Sequence, residues 1–545
     1  MLNRRNFIQC TGASLASLLV SNFVKAGGTK SVNIQMPDGV KILSGDNYFS
    51  LRSSDKQTWN YKDVIVKLKN TKDSVAVFIH SPTLALNEVQ LSWKIPAIKN
   101  AIVLGDAWER TYGDVSWQQI NATKKLPWYC VEHNDNNTIC FGVKTGCNAI
   151  CYWRVASDNL ELNLDTRTGG NGVKLGGRML NGAEIVTTKN EDNENVFATV
   201  RRFCRQMCDK PRTVAQPVYG INDWYFAYGN NSADLILQHT SLLAPLTTDT
   251  SNKPFSVIDM GWATGTDHSK PNEKFGDMQK LAGEIKKMGM RPGIWTRPLW
   301  ATGNESKRLL APNFLNDNRD DGPTLDPTIE ENIQHIKNMI GLYKQWGFEM
   351  VKHDYTTFDI YSKWGFEMTD KMTEPGWQFN DNSKTNAEII LYLYTSIREA
   401  AGDMYLIGCN TIGHLSAGLF ELNRIGDDTS GKEWARTKKM GVNTMGFRMV
   451  QHKTLYEADG DCVGLTTAVS WDKNKQWMQL LAQSSAPLFI SAQPDALGNE
   501  QKQFIKQCFT DAAKPQPIGE PLDWLTDPFP QKWKLDGQVV NFDWD

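Results

Sequence analysis

The sequence predicts a multidomain β and α/β protein: an N-terminal β-sandwich, then a (β/α)8 barrel of the TIM type, then a short C-terminal β tail. Three observations carry this. Between about residues 30 and 205, short alternating runs such as Val64-Ile65-Val66-Lys67-Leu68, Val75-Ala76-Val77-Phe78-Ile79 and Leu160-Glu161-Leu162-Asn163-Leu164 are separated by turn residues rich in Asn, Asp, Gly and Lys. From about Pro217 onward, short apolar runs alternate instead with long helical periods, the mark of repeated βα units on a parallel sheet. The length, 545 residues, exceeds what one simple core holds.

Taken in order, Asn3-Arg4-Arg5-Asn6-Phe7 precedes an apolar run from Ala13 to Val24 that ends in Lys25-Ala26-Gly27-Gly28. A charged start, a short apolar stretch and small residues describe an export signal over 1–26, and the adjacent arginines point to the twin-arginine route. A periplasmic or extracellular protein is therefore expected, and no other segment reaches the roughly 20 apolar residues of a membrane span. The sandwich is expected over 27–212, closing with a helical period at Val196–Met207. The barrel is expected over 213–514. Its strands are placed at Phe255–Asp259, Arg291–Trp295, Met350–Asp354, Met404–Gly408, Leu422–Ile425, Cys462–Leu465 and Leu488–Ile490. Helices are placed at Phe275–Met288, Ile329–Trp346 and Asn386–Ala401, each with an apolar stripe at helical spacing. Residues 515–545, with the run Val539-Val540-Asn541-Phe542, form a β extension too short to fold alone.

Charge excludes some functions. Lys plus Arg number 59 and Asp plus Glu 61, a net charge of −2, so nothing supplies the basic face that nucleic acid or an anionic membrane would need. Ten cysteines in an exported chain leave two readings open, disulfides or buried thiols. Cys130 and Cys140 flank a turn and could face each other across a hairpin, while Cys147/Cys151 and Cys204/Cys208 are each four apart. No cysteine set joins histidines at zinc spacing, and no metal or organic cofactor is implied.

The chemistry gathers at strand ends, where the active sites of α/β barrels sit. Trp224 follows the first strand, and Asp259-Met260-Gly261-Trp262 ends the second. Trp295-Thr296-Arg297 ends the third, Lys352-His353-Asp354 the fourth and Cys409-Asn410-Thr411 the fifth. Arg424-Ile425-Gly426-Asp427-Asp428 ends the sixth. Carboxylates beside tryptophans suit a neutral polyhydroxylated ligand, an oligosaccharide or polysaccharide: the acids hold hydroxyls and the indoles cover C–H faces. Two carboxylates on different strands also suit glycoside hydrolysis, one attacking the anomeric carbon and the other protonating the leaving oxygen. Lys352 and Asp354 share a strand face at a spacing of two, so Lys352 is expected to keep Asp354 ionised. His353 faces the other way and reads as packing. Asp459 and Asp461 fall in an expected loop, open to solvent or to the site.

The series Asp259-x-Gly261-Trp262, Lys352-x-Asp354 and Arg424-x-Gly426-Asp427-Asp428 resembles the glycoside hydrolase clan of α-galactosidases (melibiases) and raffinose synthases, in its longer bacterial-type branch with an upstream sandwich. The resemblance spans about residues 215–510, including Ser485-Ala486-Pro487-Leu488-Phe489-Ile490-Ser491. It implies Asp354 as nucleophile and Asp427 as acid/base, with Asp428 the second candidate one residue along. It also implies that Asp259, Trp295, Lys352, Cys409 and Arg424 line the sugar subsite; Trp224, Trp262 and Arg297 are expected beside them. One position departs: the clan places two aspartates before Gly-Trp to hold the galactose 4- and 6-hydroxyls, and here the second is Met260. An apolar thioether there favours a sugar without the hydroxymethyl group, such as a β-L-arabinopyranoside, which keeps α-galactose ring stereochemistry. The expected function is a retaining exo-glycosidase. A raffinose-synthase-type transglycosylase and a carbohydrate-binding protein with a degenerate site are the alternatives.

Overall fold

The computed structural model describes residues 35–95, 100–135, 137–247, 251–301, 323–369 and 371–545. The expected export signal, and Cys10 within it, lie outside the described residues. In the N-terminal part alternation becomes pleat: strand Val64–Asn70 buries Val64, Val66 and Leu68 and exposes Lys67 and Lys69. Its neighbours build two antiparallel sheets, one of six strands and one of eight. Val66 and Ile79 from one sheet and Leu91, Trp153 and Leu162 from the other are buried in a common core. The hairpin Tyr129–Asn134 and Asn137–Val143 sets Cys130 opposite Phe141 and Cys140 opposite Val131. The two cysteines therefore do not face each other, and all nine described cysteines are buried free thiols. Of the two readings left open by composition, the structure takes the apolar one.

Helix Val196–Met207, capped where the Asn195 side chain accepts from the Ala198 N–H at 2.8 Å, leads from the sandwich to the second sheet. That sheet is parallel, with its strands ordered in space as Glu457–Asp459, Leu422–Arg424, Tyr405–Gly408, Met350–His353, Arg291–Thr296, Phe255–Ile258, Tyr219–Asn222, Leu488–Ala492 and Cys462–Leu465. The segments at its two ends are consecutive in the chain, joined by Gly460 and Asp461, with Asp461 at φ 74°. The sheet thus curls until its ends meet through a kinked stretch. Strands such as Met350–His353 and Leu422–Arg424 are buried along their whole length, as a sheet covered by helices on one face and filled on the other requires. Glu330–Gln345 and Asn386–Ala401 supply covering helices. The second starts in a capping box, Thr385 accepting from the Glu388 N–H and Glu388 from the Thr385 N–H.

The C-terminal residues add a three-stranded sheet, Glu520–Pro521, Lys532–Leu535 and Gln538–Asn541. It is held down by buried Trp533 and Trp544, whose indoles both donate to the Pro530 carbonyl at 2.8 Å, and by the Trp434 indole donating to the Trp544 carbonyl at 2.8 Å. Among the described residues no helix is long and apolar enough to cross a membrane.

The sandwich does more than precede the parallel sheet. Its loop after strand Ile102–Gly105 runs alongside the residues that follow Leu422–Arg424: the Thr111 N–H donates to the Ile425 carbonyl at 2.9 Å, and the Asp427 N–H to the Thr111 carbonyl at 2.8 Å. Arg448 ties the loop down by pairing with Asp106 at 2.7 Å and donating to the Glu109 carbonyl at 2.5 Å. A segment more than 300 residues away in sequence is thereby fixed against the end of a strand that carries two candidate acids.

Candidate active site

Asp354 follows strand Met350–His353, and its two oxygens are held separately. Oδ2 accepts from the Trp295 indole N–H at 3.0 Å, and Oδ1 accepts from the Tyr355 backbone N–H at 2.7 Å. The Asp354 N–H in turn donates to the Thr296 carbonyl at 3.0 Å, so one strand end aims the carboxylate that its neighbour holds. Tyr355 sits in the left-handed region at φ 66°, a bend that swings the chain out of the sheet directly after Asp354.

The Lys352 partner differs from the one expected. Its Nζ pairs with Asp259 Oδ2 at 2.6 Å, not with Asp354. The reason is geometric: inward side chains of alternate barrel strands meet across the interior, whereas residues two apart on one strand are separated by two full rises of about 3.3 Å. Asp259 is held on both oxygens, its Oδ2 also accepting from Asn222 at 2.8 Å and its Oδ1 from the Met260 N–H at 2.8 Å, which leaves Oδ1 able to accept once more. Burial alone would depress the Lys352 amine, but the Asp259 carboxylate beside it more than offsets that and holds it well above its usual value. Behind them, Asp223 accepts from the Asp259 N–H at 2.7 Å; burial and the Asp259 charge push its carboxyl up to about 7. The turn needs Gly261: at φ 116°, a Cβ there would overlap the Gly229 carbonyl.

Asp427 and Asp428 lie in different surroundings. Asp427 is clamped between two guanidiniums, Arg110 on Oδ1 at 2.8 Å and Arg436 on Oδ2 at 2.7 Å, and its side chain is 13% exposed. Asp428 takes Arg424 on Oδ1 at 3.1 Å, with Arg110 at 3.8 Å; its Oδ2 has no hydrogen-bond partner among the described residues, and its side chain is 39% exposed. Burial raises the Asp428 carboxyl, but Arg110, Arg424, Lys352 and Arg436 together hold it below the usual range. Gly426 sets the pair's position, because a Cβ there would overlap the Met440 carbonyl.

Asp259, Met260, Trp224, Trp295, Lys352, Asp354, Asp427 and Asp428 line one cavity of about 330 Å³, at the lower end of the range of roughly 300–1,000 Å³ typical of small-ligand sites. Four of the expected sugar-facing residues are elsewhere. Trp262 is fully buried, donates from its indole to the Trp295 carbonyl at 2.9 Å and packs on Tyr343 and Trp346: it backs the wall rather than forming it. Arg297 is buried too, forked onto Asp359 (Nη2 to Oδ1 at 2.6 Å) and lying 4.3 Å from the centre of the Tyr355 ring. Cys409 and Arg424 are buried and do not line the cavity. Arg424 reaches Asp459 at 3.3 Å and Asp461 at 2.7 Å as well as Asp428, so Asp459 and Asp461 are buried ion-pair partners rather than loop residues in solvent. Trp262 lies one turn past the strand Phe255–Ile258 and Arg297 directly after Arg291–Thr296, positions where a residue pointing into the helical layer cannot be told from one pointing into the mouth by spacing alone. His353 is buried edge-on to Tyr394 and Phe420.

The cavity also contains residues that strand-end reasoning misses: Arg110 and Tyr112 from the sandwich loop, and Trp364 and Phe366 from the segment after the fourth strand. Arg110 lies 5.2 Å over the Trp364 ring. Buried Glu109 accepts from the Gly365 N–H at 2.9 Å, from Asn410 and from Tyr112, tying three segments together, and burial pushes its carboxyl up to about 7. The available signal was Trp108-Glu109-Arg110, charges flanked by aromatics inside a stretch of short strands. One structural consequence is testable here. Arg297→Met takes the forked guanidinium away from the buried Asp359 carboxylate, so denaturant unfolding should lose about 1–3 kcal/mol of stability.

No family model matches the chain, and no curated protein does either. Solved structures do. The alpha-galactosidase TtGalA from Thermus thermophilus, in complex with p-nitrophenyl alpha-D-galactopyranoside, aligns with a TM-score of 0.61 at 16% identity, covering 92% of this chain and 98% of that one. A variant of the GH36 alpha-galactosidase AgaA from Geobacillus stearothermophilus, in complex with raffinose, aligns with 0.56 at 13% identity, covering 82% and 67%. The galactosidase domain of the alpha-galactosidase-sucrose kinase AgaSK aligns with 0.53 at 15% identity, covering 85% and 68%. The chain shares its fold with these enzymes over most of its length.

Proposed function

We propose that this protein is a retaining exo-glycosidase of the α-galactosidase type, acting on terminal α-galactosides or β-L-arabinopyranosides of oligosaccharides or polysaccharides. The observation that carries this is Asp354: a carboxylate at a strand end, aimed into a small cavity by an indole N–H and a backbone N–H, with a second carboxylate in the same cavity. Asp354 is the nucleophile. Attack on the anomeric carbon forms a glycosyl ester as the bond to the leaving oxygen breaks, and water then cleaves that ester. Asp428 is the acid/base in preference to Asp427, because a proton donor needs an oxygen able to carry a proton. Both oxygens of Asp427 are taken by arginines, whereas Oδ2 of Asp428 is open. Asp259 and Lys352 bind ring hydroxyls as a charged pair, and Trp224 and Trp295 supply aromatic walls. The shared fold with alpha-galactosidases supports this reading.

In layout, residues 27–212 form the sandwich domain and 213–514 an eight-stranded (β/α)8 catalytic barrel in which 457–465 is one kinked strand. Residues 515–545 form the C-terminal extension. Export through a signal at 1–26 belongs to the same proposal and suits an enzyme whose substrate is an external glycan.

Met260 decides the sugar. A site with no acceptor at the position of C6 gains nothing from the galactose hydroxymethyl group, so nitrophenyl β-L-arabinopyranoside should be cleaved at least as well as nitrophenyl α-galactoside. Met260→Asp should shift the ratio of kcat/KM values toward galactoside by roughly 10–100-fold. A wild type that strongly prefers galactoside, with no change of preference in the variant, excludes the Met260 reading. The anomer first released, followed by NMR, tests retention.

A further inference from the structure

Continuous with the catalytic cavity is an outer one of about 370 Å³, between the sandwich loop and residues 365–369. The two share Arg110, Tyr112 and Phe366. Of the large apolar side chains exposed among the described residues, Phe366, at 53%, is the one that lines the catalytic cavity. A single exposed phenylalanine needs no explanation on an ordinary surface. This one stands where two cavities meet, and it is held there.

The Gly365 N–H, one residue before it, donates at 2.9 Å to Glu109, a fully buried residue of the sandwich loop. The approach is close enough to require glycine, because a Cβ on Gly365 would lie 2.8 Å from the Glu109 Cγ. Trp364 stacks on Phe358 at 4.4 Å, and Met368, two residues past Phe366, is fully buried. The Phe366 ring meets Tyr112 edge-on at 4.8 Å, and the Tyr112 hydroxyl donates to the same Glu109. Inward, Trp364 meets Tyr355 at 5.5 Å, Tyr355 meets Trp295 at 6.4 Å, and Trp295 donates to Asp354. Phe366 is the outer end of this aromatic wall. The lining beyond it includes hydroxyls and amides at Ser116, Gln118, Asn121 and Thr123, of the kind that meet a sugar's hydroxyls.

Resting on the glycosidase reading above, we propose that Phe366 is the platform of the leaving-group subsite. The sugar next to the bond being cleaved lies on its exposed face, and the outer cavity takes that sugar's hydroxyls and whatever follows it. The substrate class is then a glycan whose terminal sugar is joined to a second sugar ring, in preference to a simple alkyl glycoside. A flat apolar face suits the C–H side of a pyranose, and a ring fixed beforehand loses little freedom on binding.

The test uses the full chain carrying Asp354→Asn, so that binding is read without turnover. Both proposed terminal sugars, α-galactosyl and β-L-arabinopyranosyl, are titrated by calorimetry as the methyl glycoside and as the disaccharide (1→6)-linked to glucose. For the better-bound terminal sugar, the disaccharide should bind roughly 3–10-fold more tightly than the methyl glycoside, the range of one aromatic contact. Phe366→Leu, which keeps the bulk and loses the flat face, should bring that ratio close to one, as should Phe366→Ala, whereas Phe366→Trp should preserve it. A general loss of fold weakens both ligands together and leaves the ratio in place. A ratio near one in the parent chain, a ratio unchanged by Phe366→Leu and Phe366→Ala, or no binding of any of the four ligands overturns the platform. Wild-type turnover of nitrophenyl glycosides is read separately: its absence counts against the catalytic reading, and its presence beside a ratio near one overturns the subsite alone.

Discussion

Asp354→Asn lowers kcat on a nitrophenyl glycoside by roughly 10⁴-fold or more, with KM changed far less. The size follows from the role: without the carboxylate no glycosyl ester forms, and what remains is binding and leaving-group assistance. The substitution is close to isosteric, yet it is not neutral for the wall. Both oxygens of Asp354 accept, one from the Trp295 indole and one from the Tyr355 N–H, whereas an amide offers one acceptor and one donor. One of those N–H groups then faces an NH₂, which costs about 1–3 kcal/mol of stability. The denaturation midpoint should thus fall modestly while turnover collapses. Asp354→Ala with added azide separates a lost nucleophile from a distorted site. Azide entering the vacated space bonds to the anomeric carbon as the leaving group departs, and a glycosyl azide of inverted configuration accumulates. Absence of glycosyl azide, together with more than a few per cent residual turnover in Asp354→Asn, removes Asp354 from the nucleophile role.

The parts of this site that are legible in sequence are those carried by strand ends. A strand whose apolar pair Met350-Val351 runs straight into Lys352-His353-Asp354 announces its position because burial of such a charge needs a reason, and the parallel sheet supplies one. Trp295 and Asp259 are legible in the same way. Pairing across the barrel was not legible: Lys352 and Asp354 are neighbours in the chain, but the lysine's partner comes from another strand, and only the curl of the sheet brings Asp259 to it. Nor was depth. Trp262 and Arg297 follow strand ends as Trp295 closes one in the sequence reading, yet Trp262 packs against a covering helix and Arg297 meets Asp359 from the segment after the fourth strand. Arg110 was the least accessible of all. It lies in the other domain and reaches Asp427 only because a loop pairs its backbone with residues 425–427, an association with no periodic signature.

Arg110 also bears on the acid/base, where a second large effect is expected. Asp428→Ala should lower kcat/KM by about 10²–10⁴-fold on a glycoside whose leaving group is an alcohol or a sugar, because that oxygen needs a proton as it departs. On a 2,4-dinitrophenyl glycoside the phenolate leaves unassisted, so formation of the glycosyl ester should be nearly spared and slow hydrolysis of that ester should dominate. Asp427→Asn should affect the two leaving groups alike, since it frees Arg110 and Arg436 without touching the proton. The pH profile gives an independent reading. For free enzyme, kcat/KM requires Asp354 ionised and Asp428 protonated, so the basic limb reports Asp428. Burial raises that carboxyl, but Arg110, Arg424, Lys352 and Arg436 outweigh it and hold it below the ordinary range, which sets the basic limb on the acid side. Arg110→Gln removes one stabiliser of the anion, so the carboxyl keeps its proton to higher pH and the basic limb moves upward. A limb that stays fixed or moves down in Arg110→Gln would remove Asp428 from the acid/base role, and equal losses on both leaving groups in Asp428→Ala, with unequal losses in Asp427→Asn, would give that role to Asp427. The arginine clamp would then be part of the proton transfer itself rather than the reason Asp427 is excluded from it.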